Sequence, residues 1–290
     1  MPTHLRLRLP WTRDCMYFVR SLCAKLWMRS VKSCRVYSAP VAHVLQLVAL
    51  VDKVEARPEA TLMVAFVRRF DENYQNALSQ IKQNAIGKPI VIRSQASDVI
   101  DESPYYKQYL KDSGGIFVDA TIHDIDLSLL LFGDDIQPKS VSAVGVRAVH
   151  HEIEAYGDVD NGVGICEYWD DRIAFFYNNR MAAHGYDNAT EIVGTKGKLS
   201  VNLIPRRNAV ELCDKDGAVK TFAHTGWYER YEAAFVGETN GWVNALLDNT
   251  PLPVPLRSSL TSLKIATALQ ESLRTGNKIR FDRHGNQIKD

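Results

Sequence analysis

The segment at residues 114–126 holds the residue types that could move a proton. It reads GGIFVDATIHDID, in which Asp119, His123 and Asp126 follow one another at spacings of four and three. On a helix these spacings place the three side chains on one face. A carboxylate one turn from an imidazole can orient the ring, which suits a general base that takes a proton from a hydroxyl. The alternative is an ordinary helix start with acidic residues and a hydrogen-bonded histidine.

A second polar segment, FVRRFD at residues 66–71, ends the apolar run TLMVAFV at residues 61–67. The run has the pattern of a strand that is covered on both faces. Residues just past the carboxyl end of such a strand lie where open α/β sheets bind ligands, so Arg68 and Arg69 are candidate binding residues. The alternative is a solvated arginine pair followed by Asp71 as a helix N-cap.

The surrounding pattern predicts the elements that must position these residues. The spacing of apolar residues predicts helices at 41–56, 71–84, 114–132, 228–247 and 259–274, with Gly276 ending the last. Strands are predicted at 61–67, 90–96, 140–150, 162–168, 172–178, 190–193, 198–202, 209–212 and 218–222. This order predicts an α+β domain attached to a small α/β piece.

Composition excludes several classes of protein. The chain has 290 residues, 46% hydrophobic and 24% charged, which is typical of a globular protein with a sizeable core. Its 17 Gly, 11 Pro and 5 Cys exclude collagen-like, low-complexity and disulfide-scaffold proteins. The net charge of +1 gives no general attraction to nucleic acid or anionic membranes. No apolar run approaches the ~18 residues of a transmembrane helix.

Residues 1–38 differ in composition from the rest of the chain. They hold eight of the 35 basic residues and one of the 34 acidic residues, so residues 39–290 carry a net charge of −6. An Arg-rich, acid-poor start suits a mitochondrial transit peptide. A secretory signal is disfavoured because Arg20 and Lys25 interrupt its apolar region. We favour a third alternative, an atypical extension that packs poorly.

Two further groups of residues are predicted to have no chemical role. His150 and His151 precede Glu152 and Glu154, but no further ligands have suitable spacing for a metal ion, so we predict a solvated loop and no metal site. The cysteines form no C-x-x-C pair, and Cys166 and Cys213 are expected to be isolated buried or strand thiols.

Five segments together resemble the Gfo/Idh/MocA family of NAD(P)-dependent oxidoreductases, and within it the myo-inositol 2-dehydrogenase group. They are VAFVRRFDENY (64–74), IGKPIVIRS (86–94), GGIFVDATIHDIDLSLLLFG (114–133), GYDNATEIVGTKGKLSV (185–201) and the Trp242-containing helix before Pro251. The resemblance implies an open, mostly antiparallel sheet with helices, the family's C-terminal substrate domain, at 71–290. Residues 39–70 would be a remnant of the Rossmann domain, preceded by the atypical segment 1–38.

The resemblance also implies a role for each matching residue. His123 would be the general acid/base, and Asp119 would orient it and touch the substrate. Asp126 would hydrogen-bond a substrate hydroxyl, and Arg69 would line the pocket. Tyr186 would contact the substrate from the sheet, although an aromatic residue there could equally serve packing.

The family's nucleotide-binding elements have no counterpart in the sequence. No G-x-G-x-x-G string occurs, and the nearest string, Gly162-Val163-Gly164, lies in a predicted hairpin. Where the family has a Glu-Lys-Pro triplet, whose lysine helps to polarise the reacting hydroxyl, this sequence has Ser38-Ala39-Pro40. Alternatively, residues up to Ala39 are unrelated sequence and the resemblance begins at Pro40. Both alternatives remove the lysine. We therefore expect the NAD or NADP of the family to bind this chain poorly or not at all.

The resemblance thus predicts an oxidoreductase that transfers a hydride between an inositol-like polyol or sugar and NAD(P), in a truncated and impaired chain. The alternative is a non-catalytic substrate-domain fragment that acts as a binding or oligomerisation module. Expected partners are a polyol or sugar and further copies of the chain through the sheet, with no nucleic acid and no membrane. The expected location is the cytoplasm, with the mitochondrial matrix as the alternative.

Overall fold

A mixed sheet and six helices make up the described part of the chain. The computed structural model describes residues 48–49, 51–53, 56, 62–204, 206–207, 212–213, 215, 219–220 and 223–288. All of these residues belong to one compact unit, residues 39–290. The segment 1–38 and most of the predicted helix 41–56 lie outside the described residues, although 48–49 and 51–53 are helical as predicted.

Eight strands form one sheet, and two short strands form a separate ribbon. The sheet order is β10-β9-β2-β3-β4-β1-β5-β6, and β7 pairs with β8. Every pair is antiparallel except β1 with β4, in which Val91 lies opposite Ile173. The strands are Pro89–Val99 (β1), Pro138–Val146 (β2), Asn161–Tyr168 (β3), Ile173–Ala182 (β4), Asp187–Gly194 (β5), Lys198–Val201 (β6), Leu212–Cys213 (β7), Val219–Lys220 (β8), Ile279–Phe281 (β9) and Gln287–Ile288 (β10). The predicted α+β fold with an open, mostly antiparallel sheet is confirmed.

The helices begin and end at residues that the sequence marks. Asp71 caps the first helix, because its carboxylate accepts hydrogen bonds from the backbone N–H groups of Asn73 and Tyr74. Gly276, with a φ of +72°, ends the last helix. The helices are Glu72–Lys82 (α1), Pro104–Asp112 (α2), Ile122–Phe132 (α3), Trp227–Arg230 (α4), Glu232–Leu247 (α5) and Leu256–Thr275 (α6). None of the described helices is long and apolar enough to cross a membrane.

Among the described residues, helices α3 and α6 cover one face of the sheet, and part of the opposite face, here called the open face, is exposed to solvent. They enclose a core in which Leu129, Phe176 and Leu269 have no exposed surface. Burying a side chain of this size stabilises the fold by about 1.5–3 kcal/mol. Cys166 lies in the same core, as predicted, and burial raises the pKa of its thiol to about 12. On the open face, apolar side chains remain exposed to solvent, namely Val144, Val146, Ile165 and Ile173.

The strand predicted at 61–67 is wrong. Residues 62–66 pair with no described strand, and Val67–Phe70 form a 3₁₀ turn. Of the described residues of the apolar run, only the last two, Phe66 and Val67, are buried, and they are buried without strand pairing. Phe66 packs against the His123 ring, and Val67 joins an aromatic cluster with Tyr186 and Tyr231. The hydrophobic pattern of a short apolar run does not by itself distinguish a strand from another apolar segment.

The loop after β2 also differs from the prediction. The strand ends at Val146 because the N–H groups of Ala148, Val149 and His150 donate to the Asp160 carboxylate at 2.7–3.0 Å. Burial acts to raise the pKa of Asp160, but these backbone hydrogen bonds outweigh it and lower the pKa. His150 is 1% exposed, so the prediction of a solvated loop is wrong at this residue.

Candidate active site

The helix that carries the predicted catalytic residues begins with a glycine pair and a widened turn. Gly115 has a φ of +107°, and a Cβ there would lie 2.3 Å from the Gln270 side chain. A π turn, Phe117–Thr121, follows and continues into α3. The wider turn rotates Asp119 about the helix axis relative to His123, compared with the regular helix that the sequence predicts. Such turns inside helices occur frequently at functional sites.

Asp119 is held by residues from two other elements. Its Oδ1 accepts a hydrogen bond from the Tyr109 hydroxyl on α2, and its Oδ2 accepts one from Arg180 Nη2 on β4 at 3.0 Å. The side chain is 17% exposed, so it lies at the edge of the core. Both carboxylate oxygens of Asp119 therefore accept a hydrogen bond from the protein. The predicted role of Asp119 in orienting His123 stays a prediction.

His123 is half-buried beside the arginine-containing turn. Its ring packs edge-on against Phe66, with ring centroids 5.9 Å apart and an interplanar angle of 88°. Phe66 immediately precedes the 3₁₀ turn Val67–Phe70. The contact therefore places the imidazole next to the segment that supplies Arg68 and Arg69.

Arg69 and Asp126 form a buried, bidentate ion pair. Arg69 Nε donates to Asp126 Oδ2 and Nη2 to Oδ1, each at 2.8 Å. Nη2 also donates to Asp134 and to Ser258. Burial disfavours the charged guanidinium, but the bonds to Asp126 outweigh it and raise the pKa of Arg69. Because Asp126 has no exposed surface and both its oxygens are engaged, the pair joins the turn to α3, and the predicted substrate contacts of both residues stay predictions.

The neighbouring arginine forms a parallel pair that sequence reasoning missed. Arg68 Nη1 donates to Asp124 Oδ1 at 2.6 Å. Asp124 is fully buried and also accepts from Ser94 Oγ at 2.6 Å and Asn178 Nδ2 at 2.8 Å. The sequence signal for two ion pairs was the match between the adjacent arginines, Arg68 and Arg69, and two acids two positions apart on the helix, Asp124 and Asp126. Residue spacing did not indicate which arginine pairs with which acid.

Tyr186 lies inside the aromatic cluster. It is 4% exposed, and its ring is edge-on to Tyr231 at 6.2 Å. Its hydroxyl accepts a hydrogen bond from Arg68 Nη2 at 3.4 Å. Burial raises the pKa of Tyr186 to about 12, although the charge of Arg68 opposes the rise. Packing therefore accounts for its position, and its contact with a substrate stays a prediction.

The structure brings the predicted residues together in two groups. Arg69 bonds directly to Asp126, and Tyr186 joins the same arginine doublet through Arg68. Asp119 is held separately, by α2 and β4. A further carboxylate near Asp119 was missed, namely Asp98 at the end of β1, whose pKa is raised to about 6 by burial and then by the charge of Asp119. Its position within a strand gives no motif that the sequence could reveal.

A cavity of about 450 Å³ opens beside the 3₁₀ turn, but none of the five predicted site residues lines it. Its arginines are already paired, since Arg230 bonds to Asp71 at 2.5 Å and Arg207 to Glu229 at 2.7 Å. Within the described part of the chain, no three His, Cys, Asp or Glu side chains are arranged to hold a metal ion.

Two glycines of the described residues, Gly164 and Gly115, make room for neighbouring side chains and do not form a cradle for a pyrophosphate. A Cβ on Gly164 would lie 2.9 Å from Phe117 and 3.0 Å from Leu269, so this glycine makes room for the core. Gly115 makes room for Gln270 in the same way. A phosphate cradle needs glycines that expose backbone N–H groups at a helix start. Gly115 and Gly164 serve packing instead.

Comparisons with known proteins identify relatives of this chain. Residues 74–200 match the GFO/IDH/MocA C-terminal domain model. The chain is 30% identical over 227 residues to an inositol 2-dehydrogenase of Rhizobium meliloti, covering 78% of this chain and 67% of that protein. It is 28% identical to a myo-inositol 2-dehydrogenase of Thermotoga maritima, covering 78% and 66%.

A solved structure of an inositol dehydrogenase has a fold similar to that of this chain. The scyllo-inositol dehydrogenase of Lactobacillus casei with bound NAD(H) and scyllo-inositol aligns with a TM-score of 0.76 and 28% identity, over 82% of this chain and 69% of that one. The chain thus spans about two thirds of the length of these relatives. On the sequence identity and the coverage together, the chain belongs to the Gfo/Idh/MocA family of oxidoreductases.

Proposed function

We propose that this chain supplies the substrate site of a polyol dehydrogenase that acts on an inositol-like CH–OH group with NAD(P). The observation that carries the proposal is the position of His123. Its half-buried imidazole lies on the same helix as an ionisable carboxylate, Asp119, and beside the arginine turn. The names of relatives at 28–30% identity support the choice of an inositol as substrate class.

The chemistry assigned to the chain is the movement of one proton. Oxidation of a secondary alcohol to a carbonyl removes a proton from oxygen and a hydride from carbon. His123 takes the proton as general base and returns it in the reverse direction. Asp119 steadies the imidazole and accepts from a substrate hydroxyl, and Arg69, Asp126 and Tyr186 are the proposed contacts for the remaining hydroxyls. The hydride acceptor needs a site that the described residues do not form.

We propose that the 290 residues by themselves bind a polyol with little or no turnover. The support is the lack of a G-x-G-x-x-G string in the sequence and the packing role of Gly115 and Gly164. The loss of an ordered hydride partner removes most of the advantage of holding two reactants together. The cytoplasm, with the mitochondrial matrix as the alternative, stays the location proposed from the sequence.

The second candidate function is a non-catalytic binding or oligomerisation module, and the open face of the sheet favours it. Val144, Val146, Ile165 and Ile173 expose apolar surface there. Such a patch suits a second copy of the chain. Ile165→Lys is expected to shift the chain towards monomer in analytical ultracentrifugation, whereas an unchanged association state would remove the support for pairing through this face.

One experiment separates the two candidates. The purified chain is titrated by calorimetry with NADH and, separately, with myo-inositol and scyllo-inositol. Polyol binding that His123→Ala weakens, with His184→Ala as a control at an exposed histidine, supports the dehydrogenase substrate site. Saturable NADH binding would contradict the proposed impairment. A chain that binds no polyol and self-associates would favour the module.

A further inference from the structure

Arg180 enters the site through an irregularity between two parallel strands. The register of β1 and β4 moves from Ser97 opposite Asn179 to Val99 opposite Ala182, so one residue of β1 faces two residues of β4. Such bulges bend a strand and redirect a side chain. Arg180 is one of these two residues of β4, and its side chain has no exposed surface. Its backbone N–H is fixed by Asp160 O at 2.9 Å.

The Arg180 guanidinium bridges two carboxylates. Nη1 donates to Asp158 Oδ2 at 2.9 Å, and Nη2 donates to Asp119 Oδ2 at 3.0 Å. The planar fork of arginine can hold two acceptors at fixed directions, which a single ammonium group cannot do. The bridge therefore fixes one oxygen of Asp119 relative to the sheet.

Asp158 connects this bridge to the start of the helix that carries Asp119. Its Oδ1 accepts from Ile116 N at 2.8 Å and from Gln270 Nε2 at 3.3 Å. Gln270 Oε1 in turn accepts from Phe117 N at 3.2 Å. The first backbone N–H groups of the helix and the Asp119 side chain thus share one buried anchor.

We propose that Arg180 is a positioning residue for Asp119 and that, together with Asp158, it sets the direction in which the Asp119 carboxylate faces the substrate. The inference rests on the proposed function, since Asp119 is there the carboxylate beside the reacting hydroxyl. Arg180 itself is enclosed and acts only through Asp119.

The charge balance around Arg180 supports this assignment. One guanidinium serves Asp119 and Asp158, and Asp98 lies close enough to sense the charge of both Arg180 and Asp119. Burial and the charge of Asp119 raise the pKa of Asp98 to about 6. Asp98 thus adds a third carboxyl group beside the single guanidinium of Arg180.

The decisive measurement is the side-chain rotamer of Asp119 in solution. Three-bond couplings from the backbone N and C′ to Asp119 Cγ, in isotope-labelled protein, report whether χ1 is single or averaged. We expect a single rotamer in the wild type and averaging in Arg180→Gln and Arg180→Lys. Tyr109→Phe is the matched comparison, because it removes the donor to the other oxygen of Asp119 and leaves Arg180 in place. It is expected to keep the single rotamer.

A single Asp119 rotamer in the arginine variants would overturn the proposal, and so would averaging in Tyr109→Phe alone. If Arg180→Gln does not fold, Arg180→Lys, which retains the buried charge, decides the outcome. A scyllo-inositol titration provides the functional arm. At least a tenfold weaker affinity in Arg180→Lys supports positioning, and an unchanged affinity contradicts it. If the wild type binds no inositol, the proposed function fails, and the rotamer measurement still tests the role of Arg180.

Discussion

Replacing Glu238 with glutamine is expected to stabilise the fold at alkaline pH and to change it little at acidic pH. Glu238 lies on α5 and is 8% exposed. Among the described residues, no donor reaches its Oε1. Burial, and then the negative charge of Asp126, raise the pKa of Glu238 to about 7. A buried carboxylate of this kind costs stability whenever it is ionised.

The direction of the pH dependence follows from the higher pKa in the folded state. The folded chain keeps the Glu238 proton up to about pH 7, whereas an ordinary glutamate loses it near 4.5. Stability from this group is therefore complete below 4.5 and decreases as the pH rises to 7. At about 1.4 kcal/mol per pKa unit, the loss is about 3 kcal/mol above pH 8 and less than about 1 kcal/mol at pH 5.

The assay is reversible urea unfolding of the wild type and Glu238→Gln at pH 5 and pH 8.5. We expect the variant to be more stable by about 3 kcal/mol at pH 8.5. Glu232→Gln is the matched control, because it makes the same change at an exposed position of α5 and is expected to alter stability by less than about 0.5 kcal/mol. An equal gain at both pH values, or no gain at pH 8.5, would refute the argument from the buried charge.

Three further substitutions test other parts of the structure. Arg69→Met leaves the Asp126 carboxyl without its partner in the core, so the free energy of unfolding in urea should fall by about 3–5 kcal/mol. The double variant Arg69→Met/Asp126→Asn should restore part of this loss. Gly115→Ala places a Cβ 2.3 Å from Gln270, and we expect a loss of about 1–3 kcal/mol, read as a lower thermal midpoint. Asp160→Asn removes a carboxylate whose pKa is lowered in the folded state. The wild type loses the stability from this carboxylate as the pH falls below about 4, so acidification should reduce the free energy of unfolding less in the variant. Equal acid sensitivity of the two proteins would contradict this role.

Local elements could be predicted from the sequence because their signals are local. The carboxylate of Asp71 starts α1, Gly133 and Gly276 end α3 and α6, and Asp170-Asp171 mark the turn of the β3–β4 hairpin. Each signal acts within a few residues of the element that it ends or begins. The strand predicted at 61–67 failed because a strand needs a partner, and residues 62–66 have none among the described strands.

The helical segment of the candidate site could be predicted, but the side-chain pairings within it could not. The motif correctly placed Asp119, His123 and Asp126 on one helical segment. It did not reveal the π turn, nor that Asp158 and Gln270, from distant parts of the sequence, accept hydrogen bonds from the first N–H groups of the helix. The partner of Asp119, Arg180, is 61 positions away in the sequence, and only the assembled sheet brings it close.

The parallel pairing of β1 with β4 has a consequence for the order in which the protein folds. Val91 and Ile173 pair across 82 positions of sequence, and α2, α3, β2 and β3 all lie between them. Closing so long a loop is entropically costly, and non-local parallel pairing is slow. The arginine that anchors Asp119 sits at the far end of β4, so the site acquires its final geometry only after this closure. In a stopped-flow refolding experiment, helical circular dichroism should recover before the proposed binding of inositol.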